Sequence, residues 1–158
     1  MEAGKRARAV LQSVFSGVLS THSQKYGGYP FGSVVPFCLD QTGQPLILIS
    51  RMAQHTQNIR ANPKLSLTLL EANPDKGDVQ QVERLTLIAD AEPVTETEAA
   101  AQLYYHCFPQ ATGYHNQLDF EFYRLNLKQL RFIEGFGQAR WLSPGDVVQA
   151  SPFSLEQW

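Results

Sequence analysis

The sequence predicts a mainly β, α+β fold: an antiparallel barrel of six to seven short strands with flanking helices. Three observations carry this. Short runs rich in Val, Ile, Leu, Thr, Phe and Tyr, alternating or continuously apolar, recur at residues 33–40, 46–51, 64–71, 83–94, 120–127, 129–134 and 139–142. Turn-forming Gly, Pro, Asn and Asp separate them. Only three helical stretches occur, without the strand–helix alternation that builds a parallel sheet.

Residues 3–20 open the chain. Ala7, Val10, Leu11, Val14, Phe15, Val18 and Leu19 recur at helical spacing, which predicts an amphipathic helix packed on the domain. Lys5, Arg6 and Arg8 ahead of it suggest a secretory leader, but Gln12, Ser13 and Ser16 interrupt the apolar run and favour the helix. Gly27, Gly28, Pro30 and Gly32 then mark a Tyr-bearing loop, read as a connector rather than a pocket wall.

SVVPFCLD at 33–40 is the first strand, and Pro36 within it demands an edge position or an interruption, because proline cannot donate to a ladder. The turn at 40–45 makes 46–51 its hairpin partner. Residues 46–63, LILISRMAQHTQNIRANP, run from that strand into a helix over about 53–61, stopped at Asn62-Pro63. Residues 64–71 are the third strand, 72–82 an exposed loop and 83–94 the fourth strand. A helix over 95–107 has Thr95 as its N-cap and Glu98 at the capping-box position. After a loop over 108–118 come strands at 120–127 and 129–134, a bend at Gly135, Phe136 and Gly137, and a strand at 139–142. The barrel spans about 30–142, and the tail at 143–158 is loose or lies on a surface.

At 158 residues the chain is one domain, burying ~70% of the surface its unfolded form exposes. A net charge of −2 with scattered Lys and Arg leaves no basic face for nucleic acid. No run approaches the ~20 apolar residues that span a bilayer. Cys38 and Cys107 stand far apart with no CxxC, so a reducing, cytoplasmic setting is expected. No metal site is expected, because His106, Cys107 and His115 lack a second ligand pair. There is no GxSxG, P-loop or GxGxxG. The carboxylates of Asp40, Glu71, Glu83 and Asp90 sit at strand ends, where solvation is the default.

The remaining candidates are polar residues at strand ends. A helix start offers unpaired N–H groups and the positive end of the dipole, so Ser50, Arg51, His55, Thr56 and Asn58 form a candidate phosphate cradle. The alternative is that Ser50 caps a surface helix and His55 lies on its solvated face. Arg84 and Thr86, two apart on one strand face, supply a bidentate cation and a hydroxyl as a second half.

PFGSVVPFCLD at 30–40, LILISRMAQHTQNIRANPKLSLTLLE at 46–71, RLTLIADAEPV at 84–94 and FIEGFGQARWL at 132–142 together resemble the flavin-binding split-barrel superfamily, which includes pyridoxamine 5'-phosphate oxidase. Within it, the chain looks like the haem-utilisation branch; the HTxNxxxNP and GFGQA segments are the specific ones. The resemblance implies FMN at the interface of a two-fold homodimer. Backbone at Ser33, Val34, Val35 and Pro36 would face the ring, and Ser50, Arg51, His55, Thr56 and Asn58 would hold the phosphate with Arg84 and Thr86. Phe136, Gly137, Gln138 and Trp141 would come near the cofactor or dimer seam. Gln54-His55 stand where the oxidases carry Arg-Lys, and their C-terminal substrate-binding Arg and His pattern is absent. The haem-degrading relatives use a C-terminal histidine; the tail here has none, leaving His22, His106 and His115. The expectation is an FMN-dependent oxidoreductase acting on a small molecule. Two alternatives are a haem-binding or haem-degrading protein and a non-enzymatic flavin-binding or interaction module. His55 beside a phosphate dianion would be protonated, so FMN affinity is expected to weaken above neutral pH.

Overall fold

The computed structural model describes residues 2–71, 77–114, 119–135 and 137–148. The elements are α1 (Glu2–Ser13), β1 (Ser16–His22), β2 (Pro30–Pro36), β3 (Cys38–Leu39), β4 (Pro45–Ser50), α2 (Gln54–Ala61), β5 (Lys64–Leu70), β6 (Arg84–Pro93), α3 (Thr97–Cys107), β7 (Phe120–Gly135), β8 (Gln138–Leu142) and α4 (Pro144–Val147). All strands pair antiparallel in one sheet, ordered β2-β1-β5-β6-β7-β4-β3, with β8 added on β7. Val35 on β2 and Leu39 on β3, from the two ends of this order, join one buried cluster with Leu67, Leu87, Leu125 and Phe132. The sheet therefore curls on itself as a split barrel, with α1 and α4 packed against the same core through Ala7, Leu11 and Val147.

Period-two alternation sorts the side chains into rows. Directly opposed residues Ser33, Leu19, Leu67, Leu87, Leu130 and Leu142 form an inner row across six strands. The adjoining outer row is Val34, Val18, Thr68, Thr86, Arg131 and Trp141. At the other end of the sheet the outer face is covered: α3 lays Ala100, Ala101 and Tyr104 on Cys38, Leu46, Leu48 and Phe122. That is why LILI in β4 reads as continuously apolar. Ile47 and Ile49 face the barrel, and Leu46 and Leu48 face α3.

Several expected boundaries move. The predicted helix over 3–20 ends at Ser13, and residues 16–22 are instead a central strand, β1. Val18 and Leu19 suit either periodicity, but Gly17 settles the matter sterically. A Cβ there would lie 2.6 Å from Leu69 Cδ2 and 2.8 Å from the Thr68 carbonyl oxygen, so β1 can approach β5 only with glycine. The expected loop ends earlier, because β2 begins at Pro30; as the terminal strand it tolerates Pro30 and Pro36. Phe37 interrupts the predicted first strand, and only its second piece, β3, pairs with β4. The helix predicted from Thr95 starts at Thr97 after Glu96, whose cap position carries no side-chain bond; the Thr95 hydroxyl turns to the Glu96 carboxylate at 3.3 Å. The two strands predicted over 120–134 are one, β7, with a register shift opposite Ile88/Ala89 that skips Lys128.

Candidate functional site

Where α3 stops covering the outer face, a groove opens. One cavity of about 550 Å³ is lined by Phe15, Pro36, Leu48, Tyr104, Phe108, Tyr114 and Phe120. A second, of about 480 Å³, shares Phe15 and Ser16 with it and continues over Val18, Val34, Thr68 and Leu70. A third, of about 330 Å³, holds Arg84, Gln80, Gln138, Ile133 and the chain at Gly135 and Gly137. Leu70 in the second cavity is the direct cross-strand neighbour of Arg84 in the third. At the opposite end, Phe120 in the first cavity is the direct neighbour of Ser50. The groove thus runs along β2 from the end of β4 toward the start of β6.

Its walls are aromatic. Phe15 and Phe108 meet edge to face at 6.2 Å, and Tyr104 packs against Phe108 at 4.8 Å and Phe122 at 5.6 Å. Burial, with neighbouring Cys38 next, pushes the Tyr104 hydroxyl well above its ordinary pKa, so it stays a neutral phenol.

The candidate residues fall into three groups. In β2, Val34 and Pro36 point outward and line the groove, whereas Ser33 and Val35 face the barrel interior. Arg84, Thr86, Gln138 and Trp141 lie together on the outer face of β6, β7 and β8. Arg84 Nε is buried and finds no hydrogen-bond partner among the described residues. Thr86 meets Thr68 at 3.3 Å, and Arg131 lies over the Trp141 ring at 5.0 Å.

The strand-to-helix junction differs from the expected cradle. Thr56 and Asn58 are wholly buried. Thr56 donates its hydroxyl to the Ser50 carbonyl, and the Asn58 amide donates to Thr21 Oγ1 while accepting from Gln24 N and Gln54 Nε2. Both side chains fasten α2 to the barrel through these bonds, where the expectation set them on the phosphate. Ser50 Oγ accepts from Met52 N, so it closes the turn, and Ala53 occupies the cap position of α2. Arg51 is exposed and pairs with Glu121, which also pairs with Arg60. His55 is half-buried, and that burial lowers its pKa instead of favouring the protonated form. The two halves of the expected anion site also do not converge within one chain: Ser50 opposes Phe120 and Arg84 opposes Ile133, near the two ends of β7.

His22 borders a separate outer-face cavity with Lys64 and Ser66, and His106 is exposed at the end of α3. His115, Phe136 and the tail beyond residue 148 lie outside the described residues. Among the described residues no group of three or more His, Cys, Asp and Glu is placed to hold a metal ion, and no helix is long and apolar enough to cross a membrane. The groove aromatics Phe15, Tyr104, Phe108 and Phe120 were not singled out from sequence. Their trace is the run LYYHCF at the end of α3 together with FEF at the start of β7.

Comparison with known proteins supplies the kinship. The chloroplastic haem oxygenase HOZ of Arabidopsis thaliana is 39% identical over 153 residues, covering 96% of this chain, which spans 44% of HOZ. The haem oxygenase HutZ of Vibrio cholerae is 32% identical over 126 residues, covering 77% of this chain and 71% of HutZ. A haem-binding protein from Mycobacterium smegmatis superposes with a TM-score of 0.82 at 26% identity, over 92% of this chain and 60% of that one. A putative pyridoxamine 5'-phosphate oxidase from Listeria innocua superposes at 0.65 with 14% identity, over 82% and 97% of the two chains, a likeness of fold alone. The family model described as CREG, beta-barrel, matches residues 1–148, and with a split barrel of the pyridoxamine 5'-phosphate oxidase type and haem-utilising relatives, the chain belongs to that family.

Proposed function

We propose that this chain binds haem in the aromatic groove along β2 and serves in its oxidative breakdown. The observation that carries this reading is the groove itself: a cavity of about 550 Å³ walled by Phe15, Tyr104, Phe108 and Phe120, continuous with a second of about 480 Å³. A flat conjugated macrocycle buries its faces against such rings, while water is excluded from its edge. Arg84, whose Nε is buried without a partner, is the cation for a ring carboxylate beyond Leu70. Tyr104, kept neutral, offers a hydroxyl donor from the wall. Haem iron, when bound, would supply the oxygen chemistry. Kinship with HOZ and HutZ supports the ligand class.

The test is titration of the purified chain with haem, followed by reductant in air. A saturable Soret band that decays with release of iron supports the proposal; FMN binding with no saturable Soret change overturns it. FMN stays the second reading because a guanidinium with a buried, unpartnered Nε suits a phosphate as well as a carboxylate.

Assembly as a two-fold homodimer is part of the same proposal. On the outer face Val34 is 78%, Trp141 55% and Val18 42% exposed, apolar side chains set in the row that Thr68, Thr86 and Arg131 complete, and Leu70, two residues along β5 from Thr68, is 48% exposed. Sedimentation of the wild type as a dimer and of Val34→Asp with Trp141→Asp as a monomer is expected; a wild-type monomer refutes the assembly.

A further inference from the structure

Cys38 and Cys107 stand far apart in sequence and form no motif, yet the fold brings them together. Cys38 occupies β3, the two-residue terminal strand, and is wholly buried; because Leu39 beside it faces the barrel, Cys38 faces the cluster under α3. Cys107 is the last residue of α3, half-buried, and packs against that same cluster. Both thiols are free, and they lie close enough that each is the largest influence on the titration of the other.

We infer that Cys38 and Cys107 are a dithiol switch, closing to a disulfide that ties the end of α3 to β3. Their unequal surroundings assign the roles. The neighbouring Cys38 thiol holds Cys107 below its ordinary pKa, and proximity to Cys107, with burial, pushes Cys38 up. Cys107 is also the partly accessible one, so it is the attacking thiolate and Cys38 the resolving thiol. The oxidant is a small-molecule disulfide such as oxidised glutathione. Cys107 thiolate attacks one of its sulfurs, the S–S bond breaks, and one glutathione thiolate leaves and takes up the proton lost from Cys107. Cys38 then gives up its proton and attacks Cys107 Sγ. The mixed disulfide breaks, the second glutathione leaves as the thiol, and two thiols have been oxidised for one disulfide reduced.

The placement gives the bond a consequence at the groove. Pro36 lies two residues before Cys38, and Phe108 follows Cys107; both line the first cavity. A covalent tie between β3 and the end of α3 therefore joins the two walls of that cavity and fixes its width, whatever ligand occupies it.

The experiment uses the full chain held in excess oxidised glutathione, alkylated with iodoacetamide at intervals and read by intact and peptide mass. The expected course is a singly glutathionylated species that rises and falls, ending in a chain two hydrogens lighter with no alkylatable thiol and a Cys38–Cys107 cross-linked peptide. Dithiothreitol reverses it, and the oxidised chain melts at a higher temperature than the reduced one. In Cys38→Ser the glutathione adduct persists on Cys107; if that variant does not fold, the wild-type time course decides alone. Two persistent thiols, one glutathione on each cysteine, or a disulfide between two chains overturns the inference.

Discussion

Replacing Asn58 by Ala separates a structural amide from a ligand-binding one. The Asn58 side chain is wholly buried in α2 and makes three hydrogen bonds: to Thr21 Oγ1 at 3.0 Å, from Gln24 N at 2.9 Å and from Gln54 Nε2 at 3.0 Å. These pin α2 to the end of β1 and the chain just after it. A net hydrogen bond contributes about 1 kcal/mol. Gln24 is exposed and Gln54 half-exposed, so water partly replaces two of the three bonds, which lowers their joint loss to roughly 2 kcal/mol. The space left by the amide adds on the order of 1 kcal/mol. The expected destabilisation is therefore about 3 kcal/mol, or a fall of roughly 9 °C in Tm for a chain of this size.

The assay is urea unfolding followed by circular dichroism, paired with haem titration of the folded variant. A loss near the expected value, with ligand affinity within threefold of wild type, supports the burial argument. A stability change under about 1 kcal/mol together with a tenfold loss of affinity refutes it, since Asn58 would then be facing a ligand.

Arg84→Met should change stability by less than ~1 kcal/mol, because the buried Nε makes no hydrogen bond to lose, yet weaken an anionic ligand by about 2 kcal/mol, near thirtyfold; urea unfolding and titration check the two halves. Burial holds folded His55 below its ordinary 6.5, so as pH falls the unfolded chain takes up this proton first. The His55 contribution is thus intact above about 6.5 and is lost as pH falls through the window down to the folded pKa; His55→Gln should flatten that part of the stability profile. Gly17→Ala should cost on the order of 2 kcal/mol in the same unfolding assay, since its Cβ meets the Thr68 carbonyl oxygen at 2.8 Å.

The elements most legible in the sequence are those in which local periodicity and tertiary burial agree. KLSLTLL alternates because Leu65, Leu67 and Leu69 face one core, and β5 falls at Lys64–Leu70, one residue short of the predicted 64–71. The missed strand β1 shows the opposite case. Leu19 and Thr21 point inward and Val18 and Ser20 outward, but Val14, Phe15, Val18 and Leu19 also satisfy a helical stripe, and only contact with β5 decides between them. Thr56 and Asn58 read from sequence as phosphate ligands because polar residues at a helix start suggest an anion. Their burial depends on Thr21 and Gln24, which belong to a strand and turn read as helix and loop. The proximity of Cys38 and Cys107 has no sequence trace at all, since it follows from where α3 lands on the sheet.

The same landing accounts for the site. One curled sheet has two outer halves, and α3 covers only the half built from β3, β4 and the start of β7. At the boundary the cover ends in Tyr104, Phe108 and the turn at Pro109–Ala111, while the uncovered half begins with the terminal strand β2, whose Pro36 adds no ladder donor there. A groove at that seam needs no dedicated binding element. Its depth follows from the thickness of a packed helix, and its aromatic wall is the edge of the cluster that holds the helix down. Changing Tyr104 or Phe108 should therefore perturb the proposed haem binding and α3 packing together, whereas changes at Val34, Pro36 and Arg84, on the uncovered side, should weaken the ligand with little effect on the core, which haem titration paired with urea unfolding checks.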